Sequence, residues 1–162
     1  MPTRVGRGAA LGRLAAALAA ALCCGGARAQ VSDTEVTLGM SAPFSGVAKE
    51  LGGQMRVGLE VAFAAANAAG GVNGRSVRLV VFDDGYDPAR TITAMKELVE
   101  KRKVFAVIGN VGTPTAAVAV PYANEKGVIF FGAFSGAGLL RNDPPDRYVF
   151  NYRASYAEET AA

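Results

Sequence analysis

The hydroxyl side chains of Thr113 and Ser135 stand out in this 162-residue sequence because each follows a short apolar run at a glycine-containing turn. Thr113 lies in the segment 107–121, VIGNVGTPTAAVAVP, which resumes after the turn as an Ala/Val-rich run. The first N–H groups of a helix lack intrahelical partners and together carry about half a positive charge. A helix that starts here could therefore bind a carboxylate, or Thr113 could act only as its N-cap.

Ser135 lies in the glycine-rich segment 132–138, GAFSGAG, after the next apolar run. Neighbours with small side chains would let a ligand approach the backbone closely. An ordinary loop serine would have the same surroundings. Two hydroxyl groups at the ends of consecutive apolar runs nevertheless favour a binding site.

Catalytic and cofactor chemistry has few candidate groups in this sequence. The carboxylate pair Asp83–Asp84 could bind a metal or act as a base, but loop acids that cap a helix or face solvent are the more common role of such a pair. The sequence contains no histidine, no G-x-S-x-G elbow, no G-x-x-x-x-G-K-[ST] phosphate loop and no G-x-G-x-x-G after the first predicted strand. We therefore expect no enzymatic activity, no metal site and no cofactor.

Residues 1–29 have the pattern of a cleavable secretory signal. A basic start precedes the apolar run at 14–22, which is too short to span a bilayer, and Ala27-Arg28-Ala29 supplies a small-x-small cleavage site. Cys23 and Cys24 raise the alternative of a lipoprotein, but neither follows the Gly, Ala or Ser that a lipobox requires. We interpret the segment as a cleavable signal peptide for plain secretion.

Removal of that segment changes the charge balance. It holds four of the 17 basic residues and none of the 14 acidic ones, so residues 30–162 carry a net charge near −1. Binding to nucleic acid then loses its electrostatic support. Both cysteines also leave with the signal, and no second apolar span follows, so we expect one disulfide-free domain that does not span a membrane.

Apolar runs alternate with turn residues along the remainder of the sequence, which predicts alternating strands and helices. One helix should run between residues 52 and 69 and end at Gly70-Gly71, and another should open at Asp87-Pro88. A third should start with Thr113 as N-cap and Pro114 as first helical residue, and a fourth at the capping box Ser155-x-x-Glu158. The predicted strands are 35–40, 77–82, 104–108, 128–131 and 148–152.

This alternation predicts an α/β domain, doubly wound around a mainly parallel sheet. Ligands of such sheets bind outside the carboxyl ends of the strands. The corresponding loops in this sequence are 41–51, 83–87, 109–114 and 132–138.

Four ordered motifs resemble the leucine/isoleucine/valine-binding family, the type I periplasmic solute-binding proteins of ABC importers. They are GGVNGR at 70–75, VVFDDGYDP at 80–88, VIGNVGTPT at 107–115 and FFGAFSGAGLLR at 130–141. The resemblance extends from about Glu35 to the end of the sequence. It implies two lobes that close over a small solute, with residues 30–162 as the first lobe only, because family members are more than twice as long.

The resemblance also implies which residues bind the solute. In the amino-acid binders of the family, a Ser or Thr at the start of the third-strand helix holds the ligand carboxylate, and Thr113 occupies that position. The loop after the fourth strand supplies further contacts, and a side chain of the first loop packs on the ligand. The corresponding positions are Leu51, Val111, Gly112, Thr113, Phe134, Ser135 and Gly136.

The sequence departs from the family pattern in several places. A Ser or Thr on the fourth-strand loop of several members corresponds to Gly136 or Ser135, depending on the alignment. Tyr86 and Gly112 replace a disulfide that bridges two loops in some members, and Leu51 replaces an aromatic residue of some branched-chain binders. The resemblance thus implies a branched-chain amino acid, or a similar small polar or carboxylate solute.

We therefore expect a periplasmic solute-binding component of an ABC importer, with permease subunits as partners and an amino acid or analogue as ligand. A ligand-sensing regulatory module of the same fold is the alternative, and an enzyme with a divergent carboxylate site is a third hypothesis.

Overall fold

A computed structural model describes residues 31–161, which form a five-stranded sheet in the order β2-β1-β3-β4-β5. All four pairings between these strands are parallel, which confirms the predicted fold class. The strands and α-helices in chain order are β1 Glu35–Ala42, α1 Lys49–Ala68, β2 Ser76–Asp83, α2 Pro88–Lys96, β3 Ala106–Ile108, α3 Thr113–Lys126, β4 Ile129–Phe131, β5 Val149–Phe150 and α4 Tyr156–Thr160. A π-helical turn, Glu97–Lys101, continues α2, and a 3-10 turn, Gly138–Leu140, follows β4.

The strand order places helices on both faces of the sheet. The connection from β1 to β2 leads in one direction along the sheet, while those from β2 to β3 and from β3 to β4 lead in the other. Because such crossovers are right-handed, α1 lies on one face and α2 and α3 lie on the other, where they contact each other. The sheet is therefore doubly wound.

The main hydrophobic core lies under α2 and α3. Met95, Val107 and Phe130 are almost fully buried there. A smaller cluster around Met40 packs under α1, whose only buried residue is Gly52. A Cβ atom at Gly52 would lie 1.8 Å from the Pro43 carbonyl oxygen, so this glycine lets α1 approach the end of β1.

The element bounds differ from the prediction at strand ends. Strand β3 begins at Ala106 rather than at Val104, because the Val104 N–H donates to the Leu98 carbonyl of the preceding helical turn (3.1 Å). Strand β5 is shorter than the predicted 148–152, because β4 offers pairing partners to two residues only. Helix α1 begins at Lys49, before the predicted start.

The predicted start of α3 is also wrong by one residue. Gly112 is the N-cap, with φ 104° and ψ 152°, and Thr113 is the first helical residue. A residue other than glycine rarely adopts a backbone conformation of this kind, so the residue before the helix has to be the glycine. The Thr113 hydroxyl is hydrogen-bonded to the Ser135 hydroxyl and not to a backbone N–H of its own helix. The predicted cap Asp87 and the capping box of Ser155 and Glu158 are confirmed.

No helix within residues 31–161 is long and apolar enough to cross a membrane. The predicted signal peptide, residues 1–29 with Cys23 and Cys24, lies outside the described residues.

Candidate functional site

The candidate site lies where the order of strands reverses. Strands β1 and β3 are neighbours, yet the chain leaves their carboxyl ends in opposite directions along the sheet. Such a switch point opens a crevice beyond the strand ends, which is where open α/β sheets bind ligands. The turn 109–112 after β3 borders this crevice on one side, and the first turn of α1, with Leu51, borders it on the other.

The turn after β3 is joined to the loop after β4 by backbone contacts. The Phe134 N–H donates to the Asn110 carbonyl (2.7 Å), and the Gly112 N–H donates to the Phe134 carbonyl (3.4 Å). Val111 and Phe134 form a parallel bridge that extends the pairing of the two strands. These contacts bring five of the seven predicted ligand positions together, namely Val111, Gly112, Thr113, Phe134 and Ser135.

The Thr113 and Ser135 hydroxyl groups are hydrogen-bonded to each other, with their oxygens 2.8 Å apart. Ser135 is fully buried, and its hydroxyl oxygen accepts from the Ala137 N–H (3.2 Å). Thr113 is half-buried. One of the two hydroxyl protons lies in this bond, and the other can be donated to a carboxylate at the start of α3, where the helix dipole also favours negative charge.

The turn is held in place from behind by Asn110. This side chain is almost fully buried, and its Nδ2 donates to the Ser41 carbonyl at the end of β1 (3.2 Å). The Thr115 hydroxyl, in the first turn of α3, donates to the Val111 carbonyl (2.6 Å). The polar groups of the site are thus fixed before any ligand arrives, which lowers the entropic cost of binding.

Leu51 and Phe134 line one apolar groove of about 220 Å³, together with the side chains of Glu50, Gln54 and Met55. Leu51 is 49% exposed and Phe134 is 37% exposed. The groove adjoins Ser135 through Phe134. An aliphatic side chain in the groove and a carboxylate at the hydroxyl pair would therefore match the two halves of the site.

A larger apolar hollow of about 470 Å³ lies elsewhere, lined among others by Val36, Phe63 and Phe105. Val36 is near the start of β1 and Phe105 precedes β3, so this hollow lies toward the amino ends of the strands. Ligands of this fold class bind at the opposite ends, and the hollow brings together few groups that could orient a polar ligand. We therefore assign the site to the carboxyl ends.

Gly112 and Tyr86 correspond to the two positions that a disulfide joins in some family members. In this structure the two residues lie in contact. A Cβ atom on Gly112 would lie 2.3 Å from the Tyr86 ring. The ring thus fills the space beside the turn and excludes any larger residue at the N-cap of α3.

Tyr156 lies beside the same loop and is not among the residues that the sequence predicts for the site. Its N–H donates to the Gly136 carbonyl (2.8 Å), and its ring covers Gly136, where a Cβ atom would lie 2.5 Å from the ring. Hydrogen bonding by Ser135, then Thr113, then the Gly136 N–H lowers the pKa of Tyr156. The capping box predicts the start of this helix, with Tyr156 as its first residue, but no local pattern indicates the contact with Gly136.

The pair Asp83–Asp84 stabilises loops. Asp84 is fully buried and accepts from the Ser41 hydroxyl (2.7 Å) and from the Tyr86 N–H (2.9 Å). Burial raises the pKa of Asp84, although hydrogen bonds from the Ser41 hydroxyl, the Tyr86 N–H and the Thr91 side chain oppose the rise. Asp83 accepts from the Phe44 N–H and the Ser45 hydroxyl. No group of three His, Cys, Asp or Glu side chains within 31–161 could hold a metal ion.

The periplasmic binding protein family matches residues 35–162. This match covers most of the sequence, and the chain belongs to that family. It is similar to Leu/Ile/Val-binding protein homolog 2 of Brucella abortus (strain 2308), with 37% identity over 112 residues, 67% of this chain and 29% of that protein. The leucine-, isoleucine-, valine-, threonine- and alanine-binding protein of Pseudomonas aeruginosa is 29% identical over 119 residues, 74% of this chain and 31% of that protein.

Solved structures show the same fold. A possible leucine/isoleucine/valine-binding protein from Rhodopirellula baltica SH 1 superposes with a TM-score of 0.74 at 48% identity, covering 79% of this chain and 34% of that one. The branched-chain amino acid transporter substrate binding protein LivJ from Streptococcus pneumoniae, in complex with isoleucine, gives 0.68 at 27% identity, with 75% and 34% covered. The chain thus spans about a third of the length of these relatives.

Proposed function

We propose that this chain is the first lobe of a periplasmic solute-binding component of an ABC importer, and that the solute is a branched-chain amino acid or a similar small carboxylate. The observation that carries the proposal is the hydrogen-bonded pair of Thr113 and Ser135 at the switch point of the sheet. Relatives that bind leucine, isoleucine and valine support it.

The division of the site into two halves supports this class of ligand. Neutral hydroxyl donors and a helix N-terminus stabilise a carboxylate without a basic side chain. The groove between Leu51 and Phe134 offers an apolar surface for a small aliphatic group. Val111 and Gly112 would contribute backbone to the same wall, and Gly136, which the Tyr156 ring covers, would contribute backbone beside Ser135.

The proposal extends to the cellular role of the chain. Residues 1–29 would direct secretion, so the mature protein should begin at Gln30, which mass spectrometry of the secreted protein can check. Permease subunits of the importer would accept the solute, and the chain itself would carry out no chemical step.

The carboxylate assignment can be tested in a two-lobe chimera. We define this as residues 31–161 joined to the part of the Rhodopirellula baltica relative that the chain does not cover. Calorimetric titrations would compare L-leucine with L-leucinamide, which lacks the carboxylate, and with 4-methylpentanoate, which keeps it.

We expect L-leucine to bind and L-leucinamide to lose roughly ten-fold or more in affinity, because hydrogen bonds to a charged group contribute about 1.5–3 kcal/mol. If the chimera binds the amide as tightly as the acid, the proposed role of the hydroxyl pair is wrong. If it binds none of these compounds, the proposed ligand class is wrong.

A further inference from the structure

We propose that Arg153 is a positioning residue for the apolar half of the site. Its guanidinium holds the Phe134 ring in place as one wall of the groove, and the position of this ring decides how well the groove accepts an aliphatic side chain. This inference rests on the proposed function. It goes beyond it by making the selectivity for aliphatic ligands depend on α4 and the segment before it, where no predicted site residue lies.

Phe134 is the residue that the groove and Arg153 share. Its side chain lines the groove of about 220 Å³ together with Leu51 and Met55. The Cζ atom of Arg153 lies over the same ring, 4.9 Å from its centroid. A cation within about 6 Å of the centre of an aromatic ring is attracted to the face of that ring. Phe134 is 37% exposed, so this contact restricts a ring that would otherwise be free to move on its outer side.

The Arg153 guanidinium is itself held in a fixed orientation. It makes two hydrogen bonds with the Glu159 carboxylate, at 2.8 and 3.0 Å, and such a paired arrangement fixes the plane of the guanidinium as well as its position. It also lies over the Tyr156 ring, 5.5 Å from the centroid. The Tyr156 ring in turn covers Gly136, two residues after Phe134. The guanidinium therefore links the loop after β4 to α4.

The backbones of these two segments are joined by Arg141. Its guanidinium donates to the Ala137 carbonyl of the loop after β4 (3.1 Å) and to the Ala154 carbonyl of the segment before α4 (3.2 Å). It donates to the Arg153 carbonyl as well (2.5 Å). Because these bonds involve main-chain oxygens, replacing the Arg153 side chain leaves them in place. The effect of such a replacement should therefore be limited to the contacts of the guanidinium.

A direct bond to the ligand carboxylate is a less suitable role for Arg153. Its charge is already paired with Glu159, which a ligand carboxylate would have to displace. The two roles also differ in what they predict. A bond to the carboxylate would affect every amino-acid ligand equally, whereas a fixed Phe134 ring affects ligands with a large aliphatic side chain most.

The position of the ring can be tested in the purified chain without a ligand. The NMR signals of the Leu51 methyl groups report it, because an aromatic ring shifts the signals of nearby protons and both residues line the groove. Arg153→Gln should move these signals. Arg147→Gln is the matched control, since the Arg147 guanidinium lies over the Tyr148 ring, 5.7 Å from its centroid, and should leave the Leu51 signals unchanged.

The effect on selectivity is tested in the same chain with L-leucine and L-alanine as probes. The initial slope of the Gly112 amide shift against ligand concentration compares affinities even where binding is weak. Arg153→Gln should lower the apparent affinity for L-leucine roughly two- to five-fold. The affinity for L-alanine should change little, because its single methyl group offers the groove little apolar surface. Arg147→Gln should alter neither.

The outcomes separate this inference from the proposed function. If Arg153→Gln moves no Leu51 signal and binds L-leucine as well as the unaltered chain does, the role of Arg153 is overturned and the proposed function stands. An equal loss of affinity for L-leucine and L-alanine would also overturn it, because Arg153 would then support the loop in general or bind the carboxylate. If L-leucine shifts no signal of the unaltered chain, the proposed function is contradicted for this ligand, and the role of Arg153 in selectivity with it.

Discussion

The Thr113 side chain faces Ser135 and not the backbone of its own helix, so the geometry at the start of α3 depends on Gly112. Gly112 combines a positive φ of 104° with close contact to the Tyr86 ring. A helix cap and a ligand group would have competed for one hydroxyl. In this protein Gly112 occupies the N-cap position without a side-chain capping bond, and the Thr113 hydroxyl, one residue later, is bonded to Ser135 instead.

The residue-scale prediction compares two glycines. Gly112→Ala should lower the free energy of unfolding by at least about 2 kcal/mol, because its backbone conformation is strained for alanine and the added methyl group collides with Tyr86. Gly53→Ala, within α1, meets no atom within 4 Å and should raise stability by about 0.5–1 kcal/mol. Urea denaturation measures both, and equal effects of the two changes would argue against this account of the turn.

At the scale of elements, the alternation of strands and helices could be predicted because each element shows its own local pattern. Asp87 and Ser155 were recognisable as caps for the same reason. The order of the strands, and hence the switch point, depends on pairing between distant segments. The contacts of Gly112 with Tyr86 and of Gly136 with Tyr156 are equally non-local, which is why the sequence alone did not place Tyr156 at the site.

The end of β2 and the loop after β1 are joined through Asp83. Burial alone would raise the pKa of Asp83, but hydrogen bonds from the Ser45 hydroxyl, from the Phe44 and Gly85 N–H groups and from Arg90 hold it well below its usual value. Its carboxylate therefore stabilises the folded state while it is ionised. This contribution is fully present above the unfolded-state pKa and is lost as the pH falls toward the lower folded-state pKa.

We expect Asp83→Asn to reduce the free energy of unfolding by about 1 kcal/mol at neutral pH, a value that allows for partial exposure to solvent. The difference from the unaltered chain should shrink as the pH falls below about 3.9, the usual value for an aspartate. Asp33→Asn, at an exposed turn before β1, is the control for the charge change and should have little effect at neutral pH. Denaturation curves in which the Asp83→Asn deficit is the same at all pH values would contradict this explanation.

At the scale of the whole molecule, the site on residues 31–161 is open on one side. Leu51, Phe134 and Tyr156 are each more than a third exposed, whereas ligand pockets bury about 70–90% of a small ligand. The chain spans about a third of the length of its relatives, and in the two-lobe chimera the added part would supply the other wall. The chain alone should thus bind L-leucine far more weakly than the chimera does.

The central claim, that the start of α3 binds a ligand carboxylate, is tested most directly by Thr113→Val in the two-lobe chimera, because valine keeps the shape of threonine and removes the hydroxyl. The affinity for L-leucine, measured by calorimetry, should fall roughly ten- to a hundred-fold, while the melting temperature should change little because Gly112, and not Thr113, occupies the N-cap position. An unchanged affinity together with a lowered melting temperature would show that Thr113 only stabilises the turn, and would contradict the proposed site.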